Sequence, residues 1–162
     1  MSMLIDAYRF GSAPVTSAQY WRLFILSTAN SPISDNAASL AEMTYRSTPG
    51  GSNIATGGAA TASDSYPGLP PSNAFDGNPA TLWGTNAGMA PNSWLKYAFA
   101  SAVSVAEVTI TARGDAPNYG VSQTPKSFRI ESSPDNVTWS TEWTVADAGA
   151  WSDGETKTFT RP

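Results

Sequence analysis

The sequence predicts an all-β protein, a two-sheet β-sandwich of the jelly-roll type with about eight strands. Thirteen Gly and 12 Pro divide the 162 residues into short segments. The segments between them are rich in Val, Ile, Thr and aromatic residues, which favour strands. Several segments alternate apolar and polar residues with a period of two, as half-buried strands do. No segment has the apolar spacing of a long helix.

The first strong strand pattern covers residues 20–26. Apolar side chains occupy both of its faces, which predicts a central strand covered on both sides: Trp21, Leu23 and Ile25 on one face, and Tyr20, Phe24 and Leu26 on the other. A second strand is predicted at 40–46, with Ala41, Met43 and Tyr45 on one face.

Later strands follow from the same period of two. Residues 53–62 are dominated by small side chains and predict a loop with one edge strand. Half-buried strands are predicted at 95–99, 108–112, 128–130, 137–145 and 156–160.

Composition excludes several function classes. The formal net charge is −4, and the nine Lys and Arg residues are scattered, so we expect no nucleic-acid partner. No run of 18 apolar residues and no signal-peptide pattern occurs, which predicts a protein made in the cytoplasm without secretion or membrane insertion. Without His or Cys, a Ser-His triad, a zinc site and disulfides are not expected. A glycosidase needs only two carboxylates and stays open.

The densest group of oxygen-bearing side chains lies in residues 72–83. Asp76, Asn78 and Thr81 surround Gly77, whose backbone freedom lets several carbonyls converge. Calcium binds six to eight such oxygens. The alternative is an ordinary Asp-Gly turn between strands.

Two parts of the chain resemble the discoidin, or F5/8 type C, family of galactose-binding-like domains and its bacterial carbohydrate-binding relatives. The first runs from the Asn-Ala-Phe-Asp-Gly-Asn motif at 73–78 to about residue 160. The second, residues 20–25 and 39–43, is similar to the two strands that normally close this domain at its C-terminal end. The resemblance therefore implies a circular permutant, with an N-terminal arm at 1–18 and one domain at 19–162. That domain consists of the permuted strands at 19–47 and the remainder at 53–162.

The same resemblance implies a structural calcium ion. In relatives the cage joins the Asp-Gly-Asn loop to an acidic residue of the closing strand. A buried carboxylate such as that of Glu42 needs a compensating cation or donor, although Glu42 pointing to solvent is the alternative. Carried over position by position, the ligands are the carbonyls of Ala41, Asn73 and Asn78, the carboxylates of Glu42 and Asp76, and the carbonyl and hydroxyl of Thr81.

Relatives bind sugars, lipids or proteins through loops at one end of the sandwich. Arg113 stands where sugar-binding relatives often have an arginine, and polar groups beside an aromatic ring suit a sugar. The predicted contacts are Arg113, Asp115, Asn118, Tyr119 and Trp151. The alternatives are a surface Arg113–Asp115 pair, Tyr119 as a loop cover and Trp151 packed beneath its own turn. In contrast, Trp83, Trp94 and Trp139 stand at strand positions and are predicted to lie in the core.

The start of the chain suggests a biological setting. Residues 6–11, ahead of the Tyr-Trp-Arg strand, are similar to those of permuted discoidin-like modules in phage and prophage virion proteins. This implies a tail, fibre or head-appendage component in the virion that attaches to cell-surface glycan, as a homo-oligomer within an assembly. A purely structural virion adaptor that contacts other virion proteins is the alternative. No enzymatic activity is expected.

Overall fold

The structure, a computed structural model, describes residues 16–162. The part of the predicted arm at 1–15, including the segment at 6–11, lies outside these residues. The described chain forms ten strands, two of them only two residues long. The strands are β1 Ser17–Thr28, β2 Ser39–Leu40, β3 Glu42–Arg46, β4 Ala59–Ala62, β5 Trp83–Gly84, β6 Trp94–Ser104, β7 Glu107–Thr111, β8 Pro125–Ser133, β9 Ser140–Val145 and β10 Thr156–Thr160. A 3-10 turn at Pro71–Phe75 and the short helix α1 at Tyr119–Gln123 complete the fold.

The strands form antiparallel sheets that enclose one core, which confirms the predicted all-β sandwich. A five-stranded sheet has the order β4-β6-β1-β8-β9, and a three-stranded sheet has the order β10-β7-β3. β2 and β5 form a separate short pair. β4 is an edge strand, as its run of small residues predicts.

β1 is the central strand of the large sheet. It pairs with β6 on one side and β8 on the other. Trp21, Leu23 and Ile25 are fully buried, so one face supplies the middle of the core, as predicted. The prediction that both faces are covered is wrong for the described residues. The opposite face is only half-buried, and Leu26 is 37% exposed.

The two sheets meet through aromatic and aliphatic side chains. Tyr45 of β3 reaches Phe99 of β6 with 5.8 Å between ring centroids, and Phe128 of β8 meets Phe159 of β10 at 5.0 Å. Edge-on contacts of this kind add to the free energy of burial. The core is therefore continuous across both sheets.

The predicted positions of the tryptophans need correction. Trp83 is fully buried, as expected. Trp94 and Trp139 are only half-buried, and they lie on the outer face of the large sheet. The cause is strand alternation: Leu95 points inward, so Trp94 points outward. In the described part of the chain no helix is long and apolar enough to cross a membrane.

Candidate metal centre and ligand cleft

The Asp-Gly-Asn loop is organised by the Asp76 carboxylate. Its Oδ1 accepts the Asn78 N–H at 2.8 Å, and its Oδ2 accepts the Thr81 hydroxyl at 2.8 Å. The same Thr81 hydroxyl lies 2.8 Å from the Asn78 carbonyl, so two acceptors compete for one proton. Gly77 has φ of 76°, a conformation that favours glycine. The loop thus gathers a carboxylate, a hydroxyl and a carbonyl within one turn.

Glu42 reaches this loop from the other sheet. Ala41 separates β2 from β3, and its N–H donates to the Thr111 carbonyl at 2.8 Å. Glu42 then begins β3, and its carboxyl lies against Asp76 and the backbone amides of Gly77 and Asn78. The alternative in which Glu42 points away into solvent is therefore not what the structure has.

The electrostatics of this pair are unbalanced. Burial, together with the hydrogen bond and charge of Asp76, raises the pKa of Glu42 to about 7. Glu42 Oε1 is buried and has no hydrogen-bond partner. Burial also acts to raise the pKa of Asp76, but hydrogen bonds from Thr81 and Asn78 outweigh it, and its pKa is lowered. Two carboxylates in contact, one with an unused buried oxygen, are what a divalent cation neutralises.

The remaining predicted ligands are Asn73, three residues before Asp76, and Ala41, directly before Glu42. Asn73 lies in the 3-10 turn, and its side-chain amide donates to the Leu82 carbonyl at 3.0 Å. Ala41 is buried directly before Glu42. Within residues 16–162, no three His, Cys, Asp or Glu side chains cluster. A cation here would be held by two carboxylates and several neutral oxygens, a donor set that fits calcium better than zinc.

A cleft of about 430 Å³ opens near the ends of several loops. Arg113 lines this cleft. It donates three hydrogen bonds, two to the carboxylate of Asp115 at 2.7 and 2.6 Å and one to Gln123 Oε1 at 3.1 Å. Its guanidinium also lies 4.7 Å from the centre of the Tyr119 ring. Because a guanidinium has five N–H donors, two remain for a ligand. The hydrogen bond from Arg113 lowers the pKa of Asp115 and keeps it ionised.

The sequence did not predict that Tyr66, Asp35 and Gln123 line this cleft. Tyr66 is 53% exposed and lines it, together with Asp35 and Gln123. Gln123 connects Arg113 to Asp35, since its Oε1 accepts from Arg113 and its Nε2 donates to Asp35 Oδ2 at 2.6 Å. The Pro-rich segment around Tyr66 offered a signal for an exposed aromatic residue. Nothing in the sequence links Asp35 to Gln123.

Three predicted ligand contacts do not line the cleft. Asp115 lies beside it, paired with Arg113 at 2.6 Å. Trp151 is buried, and its indole N–H donates to the Pro125 carbonyl at 3.1 Å, so it packs beneath its own turn. Asn118 begins α1 with φ of 68°. Its N–H donates to Asp153 Oδ2 at 2.7 Å, which gives it a role in shaping the loop.

A second hollow lies between Asp115 and the Asp-Gly-Asn loop. Its volume is about 400 Å³, and its other walls include Pro79, Ala80 and Gly154. Pro79 and Ala80 directly follow the Asp-Gly-Asn turn. The Asp-Gly-Asn loop and Asp115 therefore border the same hollow.

An all-β sandwich with a polar, aromatic-lined cleft at its loops is the architecture of a binding module. The chain belongs to the F5/8 type C domain family, whose family model matches residues 59–162. Neither the comparison with curated proteins nor that with solved structures found a match. Domains of this family bind carbohydrates or proteins and are generally non-catalytic.

Proposed function

We propose that this chain is a non-catalytic, lectin-like module that binds host-surface glycan as part of a phage or prophage virion protein and holds one structural calcium ion. The observation that supports glycan binding most directly is the cleft lined by Arg113, Tyr119, Gln123, Asp35 and Tyr66, with Asp115 paired to Arg113 beside it. It combines charged hydrogen-bonding groups with an exposed aromatic ring.

The cleft chemistry suits a neutral sugar. Arg113 retains two N–H donors, and Asp115, with its side chain 40% exposed, retains acceptor capacity for adjacent hydroxyls. The exposed ring of Tyr66 offers an apolar surface for a sugar face. Because Arg113 is balanced by Asp115 and faces a further carboxylate at Asp35, an acidic sugar gains little there.

Calcium would join β3 to the Asp-Gly-Asn loop. The unpartnered Oε1 of Glu42 and its contact with Asp76 support this proposal. When bound, the ion would replace the repulsion between the two carboxylates by attraction and hold the 3-10 turn against β3. Glu42 and Asp76 would supply the charge, and Ala41, Asn73, Asn78 and Thr81 would supply neutral oxygens.

The proposed circular permutation explains the limits of the family match. The match starts at residue 59, whereas β1, the central strand of the large sheet, lies before it. The end of β10 is close to the start of β1, because Arg161 Nη2 lies 3.5 Å from Thr16 Oγ1. A short connection could therefore join these two points, as in an unpermuted relative.

A virion setting rests on the similarity of residues 6–11 and of the strand order to permuted modules of phage and prophage proteins. Such modules occur in many copies, so several weak sites act together on one surface. Homo-oligomeric assembly follows from the same setting.

Binding to a glycan array tests the proposed function. The purified protein is expected to bind a subset of neutral glycans. Arg113→Gln is expected to weaken that binding about tenfold or more, since it removes charge-assisted hydrogen bonds in the cleft. Arg46→Gln is the matched control, because Arg46 also forms an ion pair, with Glu107, but lies outside the cleft. An array without binding, in a protein that unfolds cooperatively, would instead favour the structural virion adaptor.

Reversing the permutation tests the proposed lineage. A chain that runs from Gly51 to Pro162, continues through a short Gly-Ser linker into Thr16 and ends at Gly50 is expected to fold. Its melting temperature should lie within about 10 °C of that of the 16–162 chain in its natural order, because only one loop is cut. Thermal unfolding followed by circular dichroism measures this. Loss of cooperative unfolding in the rearranged chain alone would contradict the proposal.

A further inference from the structure

The outer face of the large sheet carries aromatic and cationic side chains in register. Across β6, β1 and β8, one row contains Lys96, Arg22 and Glu131, and the next contains Trp94, Phe24 and Arg129. Tyr20 and Trp139 flank these rows. We call the set Tyr20, Arg22, Phe24, Trp94, Lys96, Arg129 and Trp139 the aromatic-cationic face.

Rings and cations contact each other across this face. The Arg22 guanidinium lies 4.0 Å from the centre of the Trp139 ring, and that of Arg129 lies 4.6 Å from the Phe24 ring. The Lys96 ammonium lies 5.3 Å from the Trp94 ring. All these side chains are half-buried, and the cations lie over rings instead of extending into solvent.

Positive charge on this face is only partly balanced. Glu131, which is buried, pairs with Arg22 at 2.7 Å and with Arg129 at 2.9 Å. Lys96 contacts the Asn136 amide oxygen at 2.7 Å, and no carboxylate within 16–162 lies at ion-pair distance from it. Two arginines therefore share one carboxylate and Lys96 has none, in a protein whose formal net charge is −4.

Lys96 and Arg22 are directly opposite each other on β6 and β1. Like charges in this arrangement destabilise a sheet. Burial lowers the pKa of Lys96, and the charge of Arg22 adds a smaller lowering. A negatively charged group placed over the two residues would relieve the repulsion between them.

We infer that the aromatic-cationic face binds an acidic polysaccharide, a chain of sugars that carry carboxylates, separately from the sugar cleft. The carboxylates would pair with Lys96 and Arg22, and sugar rings would lie on Trp94 and Tyr20. This inference goes beyond the proposed function, because it uses a different surface and a different ligand charge.

The shape of the face favours an extended ligand. Three adjacent strands present the rows, and two inter-strand spacings amount to about 10 Å. A row of this width is broader than a single terminal sugar. A linear chain can contact successive rings and cations at once.

The low charge density favours a sugar acid over a nucleic acid. Aromatic rings beside cations also suit single-stranded nucleic acid, but such proteins follow the backbone with a positively charged groove. Here one carboxylate already neutralises part of the charge, and the whole protein is acidic. A phosphate at every unit would be repelled more strongly than a carboxylate on a bulkier sugar.

Calorimetric titration of the full chain with polygalacturonate and hyaluronate at low salt tests this inference. At least one of these acids is expected to bind, and methyl esterification of the bound polymer should weaken binding about tenfold or more. Lys96→Gln should weaken it about three- to tenfold, the loss of one charge-assisted contact. Trp94→Ala should weaken it by a similar factor.

Matched variants separate this surface from the cleft. Lys126→Gln removes the same charge on β8 outside the two rows and should leave binding unchanged, and so should Arg113→Gln. Absence of binding to both acids, equal binding of the esterified polymer or tighter binding of oligothymidylate would overturn the inference. Because the glycan array with Arg113→Gln reports on the cleft, failure of one proposal does not imply failure of the other.

Discussion

Calcium is expected to raise the melting temperature of the metal-free protein by roughly 5–11 °C. Ligand at 100 times its dissociation constant adds about 2.7 kcal/mol to the free energy of unfolding. For a chain of 162 residues, each kcal/mol corresponds to roughly 2–4 °C. The physical source is the contact of Glu42 on β3 with Asp76 of the Asp-Gly-Asn loop, where the two carboxylates repel each other without a cation. Differential scanning calorimetry after chelator treatment, with and without added calcium, measures the shift.

Glu42→Gln is expected to raise the stability of the metal-free protein and to lower that of the calcium-bound protein. Without metal at pH 8, the variant should be more stable than the parent protein, because Gln cannot repel Asp76. With calcium it should be less stable, since one of two charged ligands is lost. Glu155→Gln is the control, as Glu155 lies outside the Asp-Gly-Asn loop. Its carboxylate accepts the Ser152 N–H at 2.8 Å and lies 3.8 Å from the Lys157 ammonium. Equal calcium responses in the parent protein and Glu42→Gln would contradict the site.

The contribution of Glu42 to the stability of the metal-free protein changes with pH in a defined direction. The pKa of Glu42 is about 7 in the folded chain, against an ordinary value of 4.5. Protonated Glu42 therefore stabilises the fold fully below about pH 4.5, and this contribution is lost as the pH rises through 7. Calcium must displace the same proton, so its effect on melting temperature should increase from pH 5 to pH 8. Denaturant unfolding at several pH values, with and without calcium, measures both trends.

Much of the fold was predictable because strand alternation is a local property. The spacing of Trp21, Leu23 and Ile25 alone predicted that they share a buried face. The turn residues predicted where strands begin and end along the chain, but not their order within the sheets. The same rule, applied to Leu95, would have placed Trp94 on the outer face. The size of tryptophan favoured the core, but its ring packs against a cation at the surface instead.

The candidate site was predictable only in part, because its contacts join distant segments. Family resemblance brought Glu42 and Asp76 together, and the structure places them in contact. Asp35 and Gln123 are 88 positions apart, and neither belongs to a recognisable motif. Trp151 satisfied the residue type for a sugar site, but the bend of its loop turned the ring inward. Residue type thus limits the chemistry of a site, whereas tertiary contacts decide which residues take part.

Gly120 is the position where a single methyl group should disrupt the cleft most strongly. A Cβ there would overlap the Arg113 carbonyl and lie 2.8 Å from Asp153 Oδ1. Asp153 also accepts the N–H groups of Asn118 and Gly120 at 2.7 and 2.8 Å, so the carboxylate that anchors α1 would be displaced. Both Tyr119 and Gln123 lie on this helix. The close approach of two backbones is possible only because residue 120 has no side chain.

Gly120→Ala is therefore expected to lower the free energy of unfolding by about 1–3 kcal/mol, and to weaken binding of the glycan found on the array by about tenfold or more. Val121→Ala, at the next position of α1, is the control, because its side chain is half-buried and makes no backbone overlap. Chemical denaturation and titration with that glycan measure the two effects separately. A folded Gly120→Ala protein that binds glycan as tightly as the parent would show that α1 does not position the ligand, because the overlap must move Tyr119, Gln123 or Arg113.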